Sequence, residues 1–137
     1  MPENKVIDWQ TLIDHAKISY KNAYAPYSNF KVGAAAYTEK GLVVNGCNVE
    51  NASYGLTVCA EQNCIAQAVI NAEQVLTAMA IYTEQEKLTP PCGACRQVIS
   101  EFFQPSSFVM ATNHLGQQKI WTVAALLPDA FSSDFLL

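Results

Sequence analysis

The stretch Cys59-Ala60-Glu61, answered by Pro91-Cys92-Gly93-Ala94-Cys95, decides how the rest of the chain is read. Three cysteines in two clusters can hold one zinc ion, and three protein ligands leave the fourth tetrahedral position open for water or substrate. A structural zinc site normally has four cysteine or histidine ligands. The candidates for a fourth are Cys47, Cys64, His15 and His114, and none stands in a convincing pair. Cys64 follows Cys59 by five positions, a step that turns it about 140° around a helix and aims it at a core. Cys92 and Cys95 are three apart, so on a first helical turn they share a face and can grip one ion together. The positive end of a helix dipole favours thiolates there. The ligand set is therefore Cys59, Cys92 and Cys95, with one Zn2+ per chain, in a catalytic arrangement.

Glu61 stands two positions beyond the first ligand. A lone glutamate on a helix is ordinarily a solvated carboxylate, but one beside an activated water can take its proton and deliver it to a substrate nitrogen. A cysteine, a glutamate two residues on, and then Pro-Cys-x-x-Cys resembles the zinc deaminase pattern, in its three-cysteine form. Glu61 is the catalytic candidate.

The resemblance runs from Tyr24-Ala25-Pro26-Tyr27-Ser28 to Leu126-Leu127-Pro128. Over that span, the chain resembles the small homotetrameric cytidine deaminases of nucleoside salvage. Asn48-Val49-Glu50-Asn51 and Cys92-Gly93-Ala94-Cys95-Arg96-Gln97 carry much of it. The resemblance implies that Asn48 and Glu50 contact the sugar hydroxyls, that Phe30 stacks near the pyrimidine, and that the backbone N–H of Ala60 meets the base O2. It implies a homotetramer in which Phe131 reaches into a neighbour's active site, with Leu136 and Leu137 buried in the same contact. Tyr54 falls in a region near neighbouring subunits. A free nucleoside, cytidine or 2′-deoxycytidine, is the implied substrate, with uridine or 2′-deoxyuridine and ammonia as products in pyrimidine salvage.

Composition agrees. At 137 residues and 50% hydrophobic, residues 1–137 are expected to form a single domain with a sizeable core. A net charge of −4 provides no basic footprint for a polynucleotide backbone, so no nucleic-acid partner is expected. Five cysteines with no recognisable signal peptide or transmembrane run suggest a reducing compartment, the cytoplasm, and no membrane partner.

Trp9, Leu12, Ile13, Ala16 and Tyr20 recur at helical spacing, giving a first amphipathic helix on which His15 reads as a partly exposed residue. Pro26, Ser28 and Asn29 turn the chain into a small-residue strand from Phe30 to Thr38, whose Gly33 and alanines permit close approach of another layer. Glu39-Lys40-Gly41 is a hairpin turn and Leu42-Val43-Val44 the partner strand. Asn48 to Thr57 reads as a loop in which Asn51 and Ser53 satisfy turn backbone. The helix opening near Cys59 carries Ile65, Ala68, Val69 and Ala72 inward, and Val75 to Tyr82 follows as a buried strand. The pattern repeats with a helix from Cys92 through Phe102 and a strand at Phe108–Ala111. These βαβ units imply a parallel portion of the sheet with helices on its faces. A strand from Gln117 to Thr122 must pair antiparallel, its link being short. A short helix, Val123 to Leu127, is stopped by Pro128. His114 falls in a polar turn. The fold class expected is α/β, a three-layer α/β/α sandwich with a mixed central sheet.

Two positions depart from the family pattern. Where many members continue Cys-Ala-Glu with arginine, this chain has Gln62. Three thiolates on one zinc leave a net charge of about −1, so Gln62 and Arg96, together with the helix dipoles, become the residues expected to tune charge near the metal. Pro90 stands where serine is common. The alternatives are a deaminase of a related aminated nucleoside, a nucleoside-binding homologue that has lost turnover, and a thiol-redox protein using Cys92-Gly93-Ala94-Cys95. Glu61 beside the first cysteine has no purpose in the last.

Overall fold

A computed structural model describes residues 6–136. The first helix, α1 (Trp9–Lys21), begins where the Asp8 carboxylate accepts from the Thr11 backbone N–H at 3.1 Å and from its hydroxyl at 2.7 Å, satisfying amides that the helix leaves unpaired. Strands β1 (Gly33–Thr38) and β2 (Val43–Cys47) form the expected hairpin, with Gly41 at φ 86° in its turn. Helix α2 (Ala60–Ile70), strand β3 (Leu76–Thr83), helix α3 (Gly93–Phe102), strand β4 (Phe103–Asn113), strand β5 (Gln118–Thr122) and helix α4 (Val123–Leu126) follow.

The sheet order is β2-β1-β3-β4-β5. Only β3 and β4 are parallel neighbours; the other three pairings are antiparallel. Because β2 and β3 both run antiparallel to β1, α2 crosses over β1, and α3 joins β3 directly to its parallel neighbour. Alternation along the strands divides the core between two faces. Ala35, Ala78, Ala80, Tyr82 and Met110 meet Leu12, Ile13 and Ala16 of α1. Ala34, Ala36, Met79, Ile81 and Val109 meet side chains of α2, α3 and α4, among them Cys64, Ile65, Ile99 and Leu126. This is the three-layer α/β/α arrangement with a mixed sheet.

Two glycines set the helix spacing. A Cβ on Gly33 would lie 2.0 Å from the Ala16 carbonyl oxygen of α1, and one on Gly46 would lie 2.4 Å from the Cys64 nitrogen and 2.7 Å from the Ala60 carbonyl oxygen of α2. Gly46 therefore lets the start of α2, with its metal-ligand cluster, press directly on β2.

Several boundaries differ from expectation. The first strand begins at Gly33, three residues after Phe30, because the Asn48 side chain occupies the intervening backbone: Val32 N–H donates to Asn48 Oδ1 at 2.9 Å and Asn48 Nδ2 donates to the Phe30 carbonyl at 2.8 Å. Val69 and Ala72 do not face inward. Ile65 and Ala68 are buried, whereas Val69 is 44% exposed and Ala72 lies past the helix end at φ 64°. Strand β4 starts at Phe103, well before Phe108, and its register against β3 shifts between the pairs Leu76↔Phe103 and Ala78↔Phe108. Pro105 sits in that irregularity, where a missing N–H breaks no ladder bond. The loop after Asn48 contains a 3-10 turn, Tyr54–Leu56, and is closed at its base by reciprocal bonds between Val49 and Val58, both 3.0 Å. Asn51 Oδ1 does accept from the Ser53 backbone at 2.9 Å. Leu136 is exposed, and Leu137 lies outside the described residues.

Candidate active site

The two crossovers bring two helix N-termini side by side. Cys59 is the N-cap of α2 and Cys92 the N-cap of α3, both in extended backbone, and neither side chain caps its own helix. Their sulfurs are therefore free to point at a shared centre. Cys59 Sγ lies 3.9 Å from Cys92 Sγ, and Cys92 Sγ lies 3.3 Å from Cys95 Sγ. All three sulfurs fall within 4.8 Å of one another. Four ligands at a Zn–S distance of 2.3 Å would stand about 3.8 Å apart at tetrahedral geometry. The cluster fits zinc, and it offers three donors. Cys64 is fully buried, with its thiol on the Val44 carbonyl at 3.4 Å, and takes no part.

The electrostatics fit a cation as well. Hydrogen bonding from Cys95 lowers the Cys59 thiol to about 6 despite burial. The same bond, followed by burial and the Glu61 carboxyl, raises Cys95. The Cys59 thiolate forms readily and ionisation of Cys95 beside it is opposed, so a bound dication would supply the charge that two adjacent thiolates need. Gln62 Nε2 approaches Cys95 Sγ at 3.6 Å, a neutral donor to a ligand sulfur. Arg96 is directed elsewhere: its Nε donates to the Pro91 carbonyl at 2.8 Å and its Nη1 to the Leu126 carbonyl at 3.1 Å.

Glu61, in the first turn of α2, is 5% exposed, and burial pushes its carboxyl up to about 7. It lines a cavity of about 260 Å³ together with Cys59, Ala60, Cys92, Phe30, Asn48 and Glu50, just under the usual range for ligand pockets, which begins at about 300 Å³. Ala60 is the first helical residue of α2, so its N–H has no intrahelical acceptor. Asn48 is buried and spends Oδ1 and Nδ2 on the Phe30–Val32 backbone, which holds the Phe30 wall in place. Glu50 accepts from the Tyr27 N–H at 3.0 Å, the Ser28 N–H at 3.2 Å and the Ser28 hydroxyl. The hydroxyl bond, ahead of the backbone bonds, holds its carboxyl below the usual range.

Residue by residue, the cavity gathers Phe30, Asn48, Glu50, Cys59, Ala60 and Glu61 but not Phe131, which is 57% exposed, stacks on Phe135 with centroids 5.6 Å apart, and has its carbonyl held by Gln97 Nε2 at 2.9 Å. Tyr54 is also exposed, its ring edge-on to Tyr27. Ser28, Thr57, Val32, Ile81 and Thr89 also line the cavity, and the sequence alone gives none of them a place in the site. Only Ser28 had a visible signal, its place in Tyr24-Ala25-Pro26-Tyr27-Ser28.

Residues 7–112 match the family described as the cytidine and deoxycytidylate deaminase zinc-binding region. The chain belongs to that family. Among curated relatives of this deaminase family, a cytidine deaminase of Sporosarcina psychrophila is 44% identical over 130 residues, covering 95% of this chain and 96% of its own length. Among solved structures, cytidine deaminase from Burkholderia pseudomallei aligns with a TM-score of 0.87 at 46% identity, covering 91% of this chain and all of that one. The Mycobacterium tuberculosis cytidine deaminase aligns with a TM-score of 0.80 at 39% identity, covering 92% and 98%.

Proposed function

We propose that this chain is a zinc-dependent cytidine deaminase that converts cytidine and 2′-deoxycytidine to uridine and 2′-deoxyuridine. The observation that carries the reading is a buried carboxyl, Glu61, in one cavity with Cys59 and Cys92, whose sulfurs form with that of buried Cys95 a cluster spaced for a three-ligand zinc site. Zinc held by Cys59, Cys92 and Cys95 supplies the Lewis acidity that lets water act as a nucleophile near neutral pH. Glu61 takes one proton from that water and gives it to the ring nitrogen, then takes the second from the hydroxyl left on C4 and gives it to the leaving amine. A C4–O bond forms, the C4–N bond breaks, and ammonia leaves. A carboxyl pushed up to about 7 by burial is matched to both taking and giving a proton at neutral pH.

The remaining residues orient the nucleoside. The Ala60 N–H donates to the base O2 and Phe30 stacks on the ring. Glu50 has three of its acceptor sites used by Tyr27 and Ser28; a carboxylate has about four, and the free one takes a sugar hydroxyl. Asn48 keeps one Nδ2 hydrogen for the same purpose. Phe131 closes the pocket of a neighbouring subunit in a homotetramer, a role supported by its exposure outside its own cavity. Gln62 tunes the charge at Cys95, whereas the contacts of Arg96 support a different task, taken up below. The protein acts as a single domain in the pyrimidine salvage of the cytoplasm; among the described residues, no helix is long and apolar enough to cross a membrane.

Incubation with cytidine, followed by chromatography of the nucleosides and an ammonia assay, tests the reading. Equal amounts of uridine and ammonia are expected from zinc-loaded protein and neither from chelator-stripped protein. Binding without turnover at full zinc occupancy would favour the nucleoside-binding homologue, and turnover of another aminated nucleoside alone would move the substrate.

A further inference from the structure

Arg96 joins two parts of the chain that lie far apart in sequence. It stands in the second turn of α3, half-buried, with the backbone N–H donating to the Cys92 carbonyl at 3.0 Å. Its guanidinium bonds the Pro91 carbonyl through Nε and the Leu126 carbonyl through Nη1. Pro91 is fully buried and immediately precedes the ligand Cys92. Leu126 is the last residue of α4, whose final carbonyls have no helical partner. The next residue along α3, Gln97, holds the Phe131 carbonyl. Two adjacent side chains of the ligand-bearing helix thus secure the chain that follows β5, and one of them also secures the turn delivering Cys92.

We propose that Arg96 is a positioning residue, a clamp whose fork couples the Pro91-Cys92 ligand turn to the C-terminal segment beginning at α4. The rigid, planar guanidinium places two donors at fixed separation and so can satisfy two carbonyls at once, whereas a lysine ammonium on its flexible stem acts as a point donor. The coupling runs in both directions: the tail is ordered by the helix that carries the ligands, and the ligand turn is braced by the tail. Since the clamp is read at the zinc cluster, this inference rests on the proposed zinc function.

The test uses the full-length zinc-loaded protein, with zinc transfer to a chromophoric chelator and hydrogen exchange of residues 127–136 as the two readouts. Arg96→Ala is expected to speed both zinc release and tail exchange by on the order of tenfold, the loss of a hydrogen bond from a charged donor. Arg96→Lys is expected to keep only one of the two near the wild-type rate. Gln97→Ala is expected to raise tail exchange around Phe131 and leave zinc release unchanged. The clamp is overturned if Arg96→Ala leaves either rate unchanged, if Arg96→Lys restores both, or if Gln97→Ala releases zinc as fast as Arg96→Ala. Should the alanine variant fail to fold, the lysine variant alone decides between one arm and two. Zinc counted in the wild-type protein separates the two failures: its absence contradicts the proposed function, whereas bound zinc that leaves Arg96→Ala no faster contradicts only the clamp.

Discussion

The N-termini of α2 and α3, which hold the metal-ligand cluster, and the C-terminal tail, proposed to meet a neighbour's site, are built in opposite ways. The start of α2 is pressed into the molecule, with Ala60 fully buried, Glu61 nearly so, and Gly46 allowing α2 to touch the sheet backbone; α3 opens with Cys92, Gly93 and Ala94 exposed and buries Cys95. The tail carries apolar side chains outward, with Phe131, Phe135 and Leu136 all more than half exposed. The metal-ligand cluster and Glu61 thus come from one chain, while the tail presents an apolar surface. Clusters of this kind mark interaction surfaces, and the difference teaches that stability and turnover should separate here: damage to the helix ends should cost metal and fold, whereas loss of the exposed tail side chains beyond the Arg96 contact at Leu126 should cost substrate binding alone.

The largest effect is expected at the ligands. Cys92→Ala should lose zinc and with it essentially all turnover, because two thiols cannot replace the three-ligand set; metal counting and activity on one sample check this, and a zinc-replete, active variant would break the comparison. Phe131→Ala should raise KM by about tenfold, in line with the roughly 1–3 kcal/mol of base–aromatic stacking. Its zinc content should be unchanged, and its unfolding free energy should move by less than about 0.5 kcal/mol. A parallel loss of metal would show that the tail is part of the fold.

Burial of Glu61 predicts a sign. Its folded carboxyl is raised from 4.5 to about 7, so the stability it contributes is fully present below pH 4.5 and lost as pH rises through about 7. In metal-free protein, Glu61→Gln should therefore be more stable than wild type at pH 8, by up to about 3 kcal/mol, since each tenfold change in proton affinity is worth about 1.4 kcal/mol. The gap should close towards pH 4.5. Thermal melts across that range check it, and a gap that widens in acid would contradict the burial account. Gly46→Ala should destabilise by about 1–3 kcal/mol through overpacking against α2, measured by urea unfolding. Smallest is Gln62→Arg, which should move the pH profile of turnover by less than about one pH unit as a charged donor replaces a neutral one at Cys95.

Much of this was legible in the chain itself. The ligand set follows from spacing, since Cys64 is turned away by helical geometry and the structure buries it. The layer order follows from the repeated strand–helix–strand pattern. What stayed hidden depends on contacts between distant segments. The late start of β1 comes from Asn48 reaching back to Phe30 and Val32, which no local pattern announces. Arg96 read as a charge near the metal because it follows Cys95 directly, but one position along a helix turns a side chain by about 100°, towards Pro91 and Leu126. Val69 looked inward because valine is apolar, although it falls outside the stripe made by Ala60, Glu61, Cys64, Ile65 and Ala68.

The measurement that tests the central claim most directly is turnover of cytidine by Glu61→Gln, with zinc counted in the same preparation. The account predicts one zinc per chain and a rate reduced by at least about 10²–10⁴-fold, the contribution of a positioned general acid–base group. A zinc-loaded variant that deaminates cytidine at near the wild-type rate would contradict it.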